Sequence, residues 1–157
     1  MHWRFWGLSI VCSTLPDADV VGFSFGIEYG DLLGHRGLTH SLCFALILGM
    51  VIVWFAFEDV VKFSRAWWIL SIYFFLVTGS HGFIDAMTSG GLGVAFFAPF
   101  DTTRYFLPWR PLTVSPMNVT LFFGPLGLAA VLSEFVWIWI PASIVLVGLT
   151  VYRKIAT

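Results

Sequence analysis

Long apolar runs broken by short polar clusters set the pattern of this chain. Leu42 to Phe57 contains no charged residue, and with Thr39–Ser41 as a first helical turn it is long enough to cross a bilayer, since a membrane-spanning helix needs about 20 mostly apolar residues. A second run, "AWWILSIYFFLVTGSHGFIDA" (66–86), opens on a tryptophan pair suited to a membrane interface and ends in polar residues. A third, "EFVWIWIPASIVLVGLTVY" (134–152), is closed by Arg153 and Lys154. At the start, "WRFWGLSIVC" supplies about ten apolar residues, roughly half a bilayer core at about 1.5 Å each. It is expected to be the C-terminal half of a spanning helix. A signal peptide is disfavoured, because no small-x-small cleavage site follows it. "NVTLFFGPLGLAAVLS" (118–133), with Gly124-Pro125 and Gly127 inside it, predicts a short re-entrant or interfacial helix. "TSGGLGV" reads as a loop.

The expected fold class is therefore all-α, a polytopic membrane bundle of about four transmembrane helices, the first one truncated, plus a re-entrant or interfacial helix. One domain is expected over residues 1–157. Composition agrees. Of the 157 residues 59% are hydrophobic and 11% charged, against roughly 25% charged in soluble domains. A net charge of −1 argues against nucleic-acid binding, which needs a clustered basic face. Cys12 and Cys43 form no CxxC and read as small hydrophobes rather than a disulfide framework or a thiolate zinc site.

Placed on this alternation, three polar motifs fall at one membrane face. "LPDAD" (15–19) follows the first helix, "HRGLTH" (35–40) opens the second, and "HGFID" (81–85) closes the third. His81 and Asp85, four apart, share a helix face. His35 and His40 would diverge on an unbroken helix, but Gly34 and Gly37 permit a turn that leaves His35 in the loop and His40 in the first helical turn, with Thr39 as a cap. Asp17 and Asp19, in an extended segment, would face the same way. Each motif alone also fits an ion pair, surface histidines or an acidic turn. Together they place three of four histidines and three of nine acids at membrane depth, where ionisable groups are costly and usually functional. Imidazole and carboxylate without thiolate suit Zn²⁺, with Mn²⁺ or Fe²⁺ as alternatives.

With "LPDAD", "GHRGLTHS" and "HGFIDAMTSGGLGVAFFAPFDTTRYFLPWRP" in view, the chain resembles the YdjM-like family of bacterial membrane-bound metal-dependent hydrolases, over about Leu15 to Tyr152. The resemblance implies an inner-membrane, multi-pass helical protein with a metal centre and hydrolase activity. By position it implies Asp17, Asp19, His35, His40, His81 and Asp85 as metal-binding and catalytic residues. Likeness of that family to zinc-dependent phospholipases C suggests a phosphoester substrate, by analogy alone.

Arg104 and Arg110 in "FDTTRYFLPWRP", with Arg36 in the second motif, are candidates to bind an anionic lipid or other phosphoester; interfacial snorkelling is the alternative. Metal or ion transport, or a purely structural cluster, are the competing functions. Transport sites usually sit near the midplane on broken helices, whereas these motifs lie at helix ends. The positive-inside tendency leans toward a site facing outward if the C-terminal region spans once.

Overall fold

The computed structural model describes residues 2–156. Helix α1 (His2–Thr14) leads without a break into a 3₁₀ helix, Leu15–Phe25. A one-turn 3₁₀ helix (Leu38–His40) precedes α2 (Leu42–Ala56), and α3 (Arg65–Ala86) follows after a short turn. Then come α4 (Val119–Phe122), α5 (Pro125–Glu134), a π-helical turn (Phe135–Trp139) and α6 (Ile140–Ala156). Among the described residues there is no strand, only two isolated bridges, Thr88 with Leu112 and Val94 with Tyr105. Among the described residues, three helices are long and apolar enough to cross a membrane: Trp3–Phe25, Arg65–Ala86 and Pro125–Ala156. α2, with 15 residues, is a shorter apolar helix.

The described residues fall into two compact units, 1–86 with 92–107, and 87–91 with 108–157. In the first, α2 and α3 pack together as a hairpin and α1 packs against α3. Its core gathers Cys12, Val53, Phe57, Trp67 and Phe74, each at most 3% exposed. Trp67 is thus a core residue rather than an interfacial anchor, while Trp68 beside it is exposed. Cys12 and Cys43 are both free thiols.

The N-terminal run is longer than the apolar stretch suggests. Pro16 lacks the N–H that would continue the α-helical ladder, yet it is tolerated in the first turn of a new helix. The chain therefore tightens into a 3₁₀ helix instead of turning away. Gly26, at φ +81, ends it, its N–H bonding back to Gly22 and Phe23. Eleven residues of 3₁₀ helix is long for that conformation.

Segment 92–107 straps the site end of this unit. Val94 and Tyr105 exchange backbone hydrogen bonds at 2.9 Å, the Ala95 N–H donates to the Arg36 carbonyl, and the Leu42 N–H donates to Phe96 O. A second small core of Ala86, Val94 and Phe96 lies beneath, with Leu42 and Leu107 against it.

The second unit is dominated by one apolar helical run, Pro125–Ala156, of 32 residues. Gly124 is its N-cap and Pro125 occupies the first turn, so this dipeptide starts the long helix and does not interrupt a separate re-entrant one. The expected boundary near Glu134 vanishes into the run. Pro141 supplies the reason for the π turn just before it: with no N–H to give Trp137, and a ring that crowds that carbonyl, it favours a widened turn.

Candidate metal centre

Three segments distant in sequence deliver the polar side chains. The LPDAD motif lies in the 3₁₀ helix rather than an extended strand. At about three residues per turn, positions two apart diverge by about 120°, so Asp17 and Asp19 do not face the same way. They reach opposite edges of one imidazole. Asp19 Oδ2 lies 3.1 Å from His40 Nδ1, and Asp17 Oδ1 lies 3.5 Å from His40 Nε2.

His40 sits in the turn before α2. Ser41, not Thr39, caps that helix, its hydroxyl accepting from the Phe44 N–H. Thr39 is thereby left to donate to Asp19 Oδ2 at 2.6 Å. The HRG turn is built by a non-glycine: Arg36 adopts φ +63, a left-handed strain held by its N–H to Asp19 and its carbonyl to Ala95. Gly34 and Gly37 serve close approach instead. A Cβ at Gly34 would collide with Glu28 O, and one at Gly37 with Leu32 O.

From α3, His81 and Asp85 present one face, as their spacing requires. His81 Nε2 lies 3.1 Å from Asp17 Oδ1 and 3.7 Å from Asp85 Oδ2, and Asp85 Oδ2 lies 3.1 Å from His40 Nε2. Gly82 makes this approach feasible, because a Cβ there would stand 2.8 Å from His40 O. Donor atoms of Asp17, His40, His81 and Asp85 all lie within 4.8 Å of one another, as do those of Asp19, His35 and His40. His35 Nδ1 is 2.8 Å from Asp19 Oδ1.

The donor set fits a divalent cation. His40 Nε2 is buried and makes no hydrogen bond of acceptable geometry, although two carboxylate oxygens crowd it. Burial opposes a charge on His40, but Asp17, Asp19 and Asp85 outweigh it and push its pKa up to about 10. The surroundings thus call for positive charge at this point. The cluster is open on one side: the Asp17 side chain is 52% exposed, while His40 is buried.

Two of the three arginines make contacts within the protein. Arg36 is buried, its Nη2 3.2 Å from Asp85 Oδ1. Arg104 donates to the backbone carbonyls of His35 and Tyr29 at 2.9 Å and of Asp31 at 3.1 Å. The Arg36 guanidinium thus holds Asp85, and that of Arg104 holds loop carbonyls. Arg110 belongs to the second unit. Sequence reasoning missed the Ser13 carbonyl, 2.8 Å from His81 Nδ1, because a backbone acceptor leaves no residue signature.

Comparison with known proteins places the chain in a family. The profile of the YdjM inner membrane protein family matches residues 2–156. The chain is 35% identical over 150 residues to inner membrane protein YbcI of Escherichia coli (strain K12), an alignment covering 92% of this chain and 82% of that one. No solved structure matches it significantly. The protein is thus a multi-pass inner-membrane protein, and the chain belongs to the YdjM inner membrane protein family.

Proposed function

We propose that the protein is a membrane-bound metal-dependent hydrolase that cleaves an ester or phosphoester, with lipid head groups as the substrate class. The observation that carries this reading is the gathering of Asp17, His40, His81 and Asp85 from three segments within 4.8 Å, at helix ends where head groups lie. Zn²⁺ suits imidazole and carboxylate donors, with Mn²⁺ or Fe²⁺ as alternatives. When bound, such a cation polarises a scissile oxygen and brings the pKa of water toward about 7.

The chain's own residues divide the remaining work. Asp17, the exposed carboxylate of the set, faces incoming water. Asp85 is fixed by Arg36, and His81 by the Ser13 carbonyl. Arg104 positions the loop that carries His35. The test is product release from a panel of phospholipids, phosphoesters and esters, using detergent-purified protein loaded with Zn²⁺. Turnover should appear, vanish on chelation, return with metal, and be lost in Asp17→Asn. Stoichiometric metal without turnover across the panel would overturn the reading.

A further inference from the structure

Six candidate ligands could hold one cation or two, and proton placement decides between these. His81 Nδ1 faces a carbonyl oxygen, Ser13 O, at 2.8 Å. A carbonyl only accepts, so Nδ1 carries a hydrogen, and in the neutral ring, the form that can hold a metal, Nε2 keeps its lone pair. At His40 the same logic needs one more step. Thr39 Oγ1 lies 2.6 Å from Asp19 Oδ2 and has a single proton, committed to that carboxylate. Toward His40 Nδ1, 3.1 Å away, the hydroxyl is then an acceptor, as is Asp19 Oδ2. His40 Nδ1 therefore carries a hydrogen as well. With both rings neutral, two Nε2 lone pairs face oxygens of Asp17 and Asp85 at 3.1 to 3.7 Å, where a proton or a cation must sit between them. Lone pairs facing carboxylates repel unless a positive charge lies among them.

Asp19 is in the opposite condition. Four donors converge on it: His35 Nδ1 at 2.8 Å, Thr39 Oγ1 at 2.6 Å, the Arg36 N–H at 3.3 Å and His40 Nδ1 at 3.1 Å. A carboxylate offers about four lone-pair sites, and this side chain is 2% exposed. Nothing remains for a cation. A second ion at Asp19, His35 and His40 would also have to strip the proton from His40 Nδ1.

We infer that the pooled residues form one four-ligand cation site, Asp17, His40, His81 and Asp85, in which Asp19, braced by His35 and Thr39, positions His40 and binds no metal. Carboxylates that orient a ligating histidine in this way commonly contribute 10–100-fold to metal affinity. The inference rests on reading the cluster as a cation site, not on which bond is cleaved.

Chelator-stripped protein titrated with Zn²⁺ against a chromophoric competitor, with metal content by mass spectrometry and the visible spectrum of the Co²⁺ form, tests it. One metal per chain is expected. Asp19→Asn and His35→Gln should still bind one metal with a wild-type-like Co²⁺ spectrum, at roughly 10–100-fold lower affinity for Asp19→Asn. Asp85→Asn should lose more than that and alter the spectrum. Two metals per chain in the wild type, falling to one in Asp19→Asn or His35→Gln, would overturn the inference, as would a chain that binds none because protons occupy both Nε2 atoms. One tightly bound metal without any hydrolysis would leave this inference standing and remove the proposed reaction.

Discussion

The first unit buries charge and the long helix of the second buries almost nothing. In one, His35, Arg36 and His40 are under 9% exposed at the ends of tightly packed helices. In the other, the apolar window of Pro125–Ala156 has 0% of its residues buried within the protein. The same apolar composition thus does two jobs. Where helices pack, apolar surroundings raise the cost of every unpaired charge, so the polar residues there must satisfy one another. Where a helix meets only lipid, packing specifies little beyond length and hydropathy. Substitutions should separate the two.

The widest gap is expected in the core. Phe74, fully buried in the first unit, should cost about 3–5 kcal/mol as Phe74→Ala, whereas Leu146→Ala on the exposed helix should stay within about 0.5 kcal/mol. Unfolding of purified protein in mixed micelles measures both. Equal losses would mean that the long helix is packed after all.

A smaller contrast comes from two glycines. In Gly82→Ala the new Cβ must push α3 away from His40 O, costing about 1–3 kcal/mol and weakening Zn²⁺ binding. Gly148→Ala meets open space and should be neutral or gain about 0.5–1 kcal/mol. Thermal melts with a Zn²⁺ titration check the pair.

A further contrast is in pH. His40 has its pKa raised from the ordinary imidazole range to about 10 by the surrounding carboxylates. A group raised on folding stabilises fully below its unfolded value and loses that contribution as pH rises through the folded value. Metal-free protein should therefore lose thermal stability as pH approaches about 10. Zn²⁺-loaded protein should not, because there the cation balances the carboxylates. Matching profiles would contradict a shared place for proton and metal.

Legibility followed the same division. The α2 and α3 runs could be read because apolar length is a long-range signal that one residue does not erase. Convergence of the three motifs followed from helix alternation alone. The LPDAD conformation could not be read so: extended and 3₁₀ chains accept the same residues, and docking against His40 and His81 decides between them. Ser41 directly before an apolar run was a usable cap signal, and Gly124-Pro125 a usable helix start; both were overshadowed by the search for breakers. The partners of Arg36 and Arg104, Asp85 and loop carbonyls, were not legible because they lie 49 to 75 residues away.

Anomalous X-ray scattering at the zinc edge, from crystals of Zn²⁺-loaded protein, tests the central claim most directly. One peak per chain is predicted, within bonding distance of His40 Nε2, His81 Nε2, Asp17 and Asp85. Absence of a peak there, or a peak coordinated by Asp19 and His35 instead, would contradict it.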